Sequence, residues 1–218
     1  MPDEVKKITL AGGREIHINE SVTTLKHGFT TIDNVSVSMI SNDVEVYRFP
    51  LNDEYSGGTL HLSPSGKYLL FAYYSGHSEE LFVLFKIGDT LEVVCDTWNY
   101  GEAADYCFTE DETTLVQVLP NSCSLWGYWK DDLEDMGEQD ENGVNFLEFG
   151  HINILNIAEK TTKKHQLRAY PSESAKNIAE DYNPLTAPVI IGNVLNLSMP
   201  WGKEELSLPL DDVIAFTI

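Results

Sequence analysis

The densest group of chemistry-bearing side chains in this 218-residue chain is an acidic run: Asp131, Asp132, Glu134, Asp135, Glu138, Asp140 and Glu141. Carboxylates this close repel one another and extend the loop that carries them, and a Lys/Arg-rich surface would relieve that repulsion on contact. Calcium is the other chemistry such oxygens serve. The spacing is not that of a D-x-D-x-D-G loop, however, so no metal is assigned. Immediately before the run stand Trp126, Tyr128 and Trp129. Rings beside a charged rim are a common interface composition, and as a strand the same rings would fill a core. These three aromatics and seven carboxylates form the candidate partner-binding set.

Catalytic patterns are weaker. Histidines 17, 27, 61, 77, 151 and 165 are scattered, and none is spaced to share a metal with another on one face. No Gly-x-Ser-x-Gly turn offers a serine nucleophile. Tyr74-Ser75-Gly76-His77-Ser78 sets serine near histidine, but adjacent strand residues point to opposite faces. Thirty-five carboxylates always offer some pair for a glycosidase, which keeps a carboxylate-dependent hydrolase acting on carbohydrate as an alternative. No catalytic residue and no cofactor is assigned. Cys95, Cys107 and Cys123 lack CxxC spacing and read as reduced, apolar-packed thiols.

The charge sets the partner class. Thirty-five acidic against fourteen basic residues give −21 and a pI near 4.4. Such a surface repels phosphate backbones, which need Lys and Arg to displace their counterions, so nucleic acid and anionic membrane are poor partners. A basic protein is favoured by the same field. The start, Met1 to Lys7, lacks the apolar stretch of a signal peptide, and no run approaches 18 apolar residues. A cytoplasmic protein is expected.

The elements that must position these residues read as strands. Ile8 to Leu10 and Glu15 to Ile18 flank a Gly-Gly turn, and Val35 to Ile40 and Val44 to Phe49 form an alternating apolar/polar pair that Pro50 ends. Thr59 to Leu62, Tyr68 to Tyr74, Leu81 to Ile87 and Leu91 to Cys95 make a four-strand unit. Its run Leu81 to Phe85 is apolar without alternation, as in a strand covered on both faces. The phrase Leu62 to Tyr73, with its Ser63-Pro64-Ser65-Gly66 turn, returns as Phe108 to Leu119, shifted by 46 residues. Matching Phe82–Ile87 to Ile152–Ile157 stretches the shift to 70 and locates an acidic insertion between about residues 120 and 150. Residues 171–188 read as a connector with room for a short helix over Ser174 to Asp181. Val189 to Leu197, Glu205 to Leu208 and Val213 to Ile218 read as three closing strands, the last expected to pair with the first around Ile8 to Leu10.

The Leu62-Ser63-Pro64-Ser65-Gly66-Lys67-Tyr68-Leu69 segment resembles the first-to-second strand corner of WD-type and related β-propeller blades. The likeness covers Gly57 to Trp98 well and Asp105 to Leu119 fairly. The Trp-Asp pair that ends a WD blade is missing, as is the Gly-His pair before it. The resemblance implies an all-β, propeller-like stack of about four small antiparallel sheets in one domain over residues 1–218, whether closed, degenerate or open. It also implies a scaffold used for binding more often than for catalysis. The expected function is a non-enzymatic protein-binding module that holds a basic protein partner, as small bacterial immunity proteins do. Besides the hydrolase, a scaffold subunit of a larger assembly is the remaining alternative.

Overall fold

The computed structural model describes residues 6–24, 30–51, 55–75, 79–100, 105–120, 138–169, 186–192, 194–198, 205–210 and 216–217. They fall into two compact units, Met1–Tyr100 and Gly101–Ile218. Among them, everything regular is β-strand apart from one 3-10 turn at Ala11–Gly13. Four small antiparallel sheets result, as the sequence led one to expect, and none closes into a barrel.

In the first unit, β1 (Lys7–Thr9), β2 (Glu15–Thr24), β3 (Thr30–Ser41) and β4 (Val44–Pro50) form the first sheet in chain order. The β3–β4 hairpin turns on Asn42 and Asp43, both at positive φ (49° and 62°). Two left-handed residues match the twist of the strands they join, and Asn and Asp tolerate that region. Pro50 closes edge strand β4 opposite Ser36, where no ladder bond needs its missing N–H. The second sheet is β5 (Gly57–Leu62), β6 (Tyr68–Ser75), β7 (Glu79–Ile87) and β8 (Leu91–Tyr100), again in chain order.

Alternation decides which faces meet. Ile16, Ile18, Val35, Val37 and Met39 from the first sheet share a core with Leu60, Leu69, Phe71, Tyr73, Leu81, Val83 and Phe85 of the second. Full burial of such side chains stabilises by about 1.5–3 kcal/mol each. Tyr55 sits over this core with its ring 6.4 Å from both Phe71 and Tyr73, and its hydroxyl donates to Glu20 at 2.6 Å. Every residue from Leu81 to Phe85 is buried, so both faces of β7 are covered, as its unbroken apolar run predicts.

The second unit holds the third sheet, ordered β17-β13-β12-β10-β9, with β11 added on β12. Its strands are β9 (Asp105–Phe108), β10 (Thr114–Pro120), β11 (Glu138–Gln139), β12 (Asn145–Asn156), β13 (Thr161–Ala169) and β17 (Phe216–Thr217). The fourth sheet is β14 (Thr186–Ile191), β15 (Val194–Ser198) and β16 (Glu205–Pro209).

The repeat is physical, down to single hydrogen bonds. At the β5–β6 corner the Tyr68 N–H donates to Ser63 Oγ at 3.0 Å; at the β9–β10 corner the Thr114 N–H donates to Thr109 Oγ1 at 3.1 Å. Gly66 N–H donates to Ser63 O, and Glu112 N–H to Thr109 O, each at 2.9 Å. Lys67 N–H reaches Ser65 Oγ where Thr113 N–H reaches Asp111 Oδ1. Ile87 N–H donates to Lys67 O as Ile157 N–H does to Thr113 O, which reproduces both shifts, 46 and 70, in one pair of bonds. The β10–β12 ladder ends with Pro120 opposite Gly150, while β12 itself begins at Asn145 and pairs with β13 from Leu147.

Two expectations are corrected. Val189 to Leu197 is not one strand but a hairpin, β14 turning into β15 at Gly192, whose φ of +61° suits glycine. Among the described residues, the partner of the C-terminal strand is β13 and not the first strand; β17 runs parallel to it, Phe216 beside Leu167 and Thr217 beside Arg168. The short helix expected over Ser174 to Asp181 lies outside the described residues. Residues 186–188 of the expected connector already belong to β14.

Candidate functional site

Of the acidic set, Trp126, Tyr128, Trp129, Asp131, Asp132, Glu134 and Asp135 lie outside the described residues. Glu138 begins β11, opposite Phe146 of β12. The hairpin between them is held by Asp140, whose Oδ1 accepts from the N–H groups of Asn142 and Val144, both at 2.9 Å. Its backbone N–H returns a bond to Val144 O. One Asp140 oxygen is thus committed to the turn, while Glu141 is exposed at its tip. The insertion therefore returns to the sheet through a short, self-braced β-arm.

Charge is unevenly shared. Residues 101–218 hold twenty-one acidic and seven basic side chains, and residues 1–100 hold fourteen and seven. From Gly101 to Gly150 there are thirteen carboxylates and one lysine, Lys130. In the first sheet, by contrast, carboxylates are matched locally. Lys6 pairs with Glu20, Lys7 with Glu15, and Arg48 with Glu45, each at 2.7–2.8 Å. Lys7 and His17 hold the Glu15 carboxyl below its usual range; Arg48 and then Ser38 do the same for Glu45. Asn19 donates to Ser38, and Ser38 to Glu45, which ties the buried serine into that row.

A second concave feature lies at the opposite end of the third sheet from the insertion, about 20 Å away along β10 at ~3.3 Å per residue. It is a half-open cleft of about 640 Å³ lined by the Thr109–Thr114 corner, the Asn156–Thr161 turn, Lys163, and Gly192 and Leu210 beside the fourth sheet. Asp111 Oδ1 accepts from Thr109 Oγ1 at 2.8 Å and Thr113 Oγ1 at 2.9 Å. With the Thr113 N–H as the largest cause, these bonds hold the Asp111 carboxyl below its usual range. Asn156 Oδ1 braces the neighbouring turn by accepting from the N–H groups of Ala158 and Glu159. Glu110 and Glu159 are exposed on its walls. Sequence reading missed this cleft because its two polar turns are 42 residues apart and each resembles a solvated loop.

Of the remaining candidates, His27, His77 and Cys123 lie outside the described residues, and His151 and His165 stay apart. Burial, then Lys164, pushes the His151 imidazole down to about 4, and burial with Lys163 lowers His165. His151 lies opposite Gln166 and His165 opposite Ile152, so the two rings occupy opposite faces. Burial and then Asp105 push the Cys107 thiol up to about 12, leaving it protonated and unreactive. Among the described residues no group of three or more His, Cys, Asp or Glu is placed to hold a metal ion, and no helix is long and apolar enough to cross a membrane.

No protein-family model and no curated protein matches the chain. Among solved structures it is similar to Kuenenia stuttgartiensis hydrazine synthase at 13% identity and a TM-score of 0.47, over 88% of this chain and 49% of that one. It is also similar to the WD40 domain of SCAP from fission yeast at 10% identity and a TM-score of 0.37, over 89% of this chain and 58% of that one. The chain thus spans about half the length of the first and less than two thirds of the second, and neither likeness bears on its activity.

Proposed function

We propose that this chain is a non-enzymatic binding module that engages a basic protein partner through its acidic insertion and the aromatics preceding it. The observation that carries this reading is the charge of residues 101–150, thirteen carboxylates against one lysine within a chain of net charge −21. Like charges gathered in one segment raise the rate of encounter with a cationic surface and exclude anionic ones. The Asp140 turn supports it, because its two backbone bonds fix the arm by which the insertion returns to the sheet. A small acidic protein that neutralises a basic toxin would have this profile.

The test is a quadruple variant, Asp131→Asn, Asp132→Asn, Glu134→Gln and Asp135→Asn, compared with wild type in capturing basic proteins from the native cell extract. Wild type should retain a basic partner at low salt and lose it steeply above about 0.1 M, where exposed charges beyond ~10 Å are screened. The variant should lose that partner while its melting temperature is unchanged. Equal capture by both proteins overturns the reading.

A second reading, a carboxylate-dependent hydrolase acting on carbohydrate, draws on the cleft. Besides Asp111, held ionised, the second carboxylate of a pair would be Glu110 or Glu159, which line the same cleft. Turnover of a glycan panel that disappears in either Glu110→Gln or Glu159→Gln would favour it over the binding module.

A further inference from the structure

The third sheet carries, at its centre, a polar row that its sister lacks. Gln117 of β10 lies opposite Tyr106 of β9 and Asn153 of β12. Its Nε2 donates to the Tyr106 hydroxyl at 3.3 Å, and its Oε1 accepts from Asn153 Nδ2 at 2.8 Å. Gln117 is only 2% exposed. Applying the shifts of 46 and 70, the same three positions of the second sheet are Leu60, Phe71 and Val83, paired in the same register and packed in an apolar core.

We infer that the Tyr106–Gln117–Asn153 row marks the third sheet as distinct from the second, so that the chain does not exchange one repeat for the other as it assembles. Two sheets with the same corner bonds and register are interchangeable as backbones. Exchange of like elements, within a chain or between copies, is the characteristic failure of repeat proteins. If the third sheet took the second sheet's place, Gln117 and Asn153 would lie against Ile16, Val37 and Met39. Those aliphatic side chains carry no hydrogen-bonding group. Two amides have eight bonding positions between them, and their mutual bonds fill few. In the native fold all three residues have further interactions, which that aliphatic wall would not replace. Each amide group left unpaired would disfavour the exchanged form roughly tenfold or more. The row therefore discriminates against exchange without altering the strands that make the repeats alike.

The test transplants the second sheet's row: Tyr106→Leu, Gln117→Phe and Asn153→Val in the full chain. Wild type and variant are unfolded in urea, refolded by dilution, and examined by size-exclusion chromatography with light scattering. The expected result is a wild type that regains its starting profile. The variant should show a several-fold larger fraction of dimers or larger species and a melting temperature that is not lowered. A variant that refolds with the wild-type profile overturns the inference, as does one whose melting temperature falls with no new species. Should the triple variant fail to fold, the milder pair Gln117→Met and Asn153→Leu is read in the same way. Failure of that pair to fold would make the row indispensable to the sheet itself and also overturn the inference.

Discussion

In the second sheet Phe71 is fully buried between Leu60 and Val83, and its ring stacks on Tyr73 at 5.1 Å; in the third sheet Gln117 holds the same place between Tyr106 and Asn153. The backbone N–H bonds of their corners nevertheless match one for one. The backbone of a blade-like sheet is thus set by its turn and its register, and what the centre of each strand carries is a separate choice. In the second sheet that choice serves stability. In the third it is polar, and the same sheet carries the acidic insertion and the cleft.

The sharpest way to break this comparison is to truncate the two equivalent residues. Phe71→Ala should cost about 3–5 kcal/mol, because a buried ring leaves both lost transfer energy and a cavity. Gln117→Ala should cost about 1–3 kcal/mol, chiefly because the Tyr106 hydroxyl and the Asn153 amide lose their partner. Urea denaturation measures both. Equal costs would mean that the polar row is as much a core as the apolar one.

The fold was more legible than the site, for reasons visible in particular residues. Ile16 and Ile18, and Val35, Val37 and Met39, announce a half-buried pair by strict alternation. The likeness of the β5–β6 and β9–β10 corners followed from a single shift of 46, which needs only that both repeats keep their turn and register. The β14–β15 turn was readable in principle, since Gly192-Asn193 is a hairpin dipeptide, but the apolar residues on either side masked it. The partner of β17 was not readable: two residues of ladder carry no pattern, and tertiary packing selects the edge. The cleft was hidden because Asp111 and Asn156 act on their own turns, and proximity of turns is a property of the folded sheet.

The corners offer a finer comparison. Ser63→Ala and Thr109→Ala each remove the acceptor of an equivalent backbone N–H, and each should cost about 1 kcal/mol. The Thr109 change should cost more, because its hydroxyl also donates to Asp111. Three positions on, the left-handed residue is Gly66 at φ 74° in one corner and Glu112 at φ 56° in the other. A Cβ on Gly66 would meet only Leu62, at 3.9 Å, so Gly66→Ala tests backbone strain alone. About 1–2 kcal/mol is expected. A much smaller loss would show that this turn tolerates any residue and that Glu112 is unstrained.

A last comparison separates the sheets by pH. His151 of β12 occupies the position that Leu81 holds in β7, so only the third sheet titrates there. Its folded pKa, about 4, is lowered by burial first and Lys164 second, and lies below the ordinary value near 6.5. The unfolded chain therefore binds the proton more readily. The stability this site confers is intact above about pH 6.5 and drains away as pH falls toward 4. His165 shifts in the same direction and adds to the slope. Asp111 has the same sign but a lower window: its lowered pKa confers stability that is lost only as pH falls below the usual carboxylate range. Urea midpoints at pH 7.5, 6 and 5 should fall for wild type. They should fall less for His151→Leu, which gives the third sheet its sister's residue, and an unchanged slope in that variant would assign the titration elsewhere.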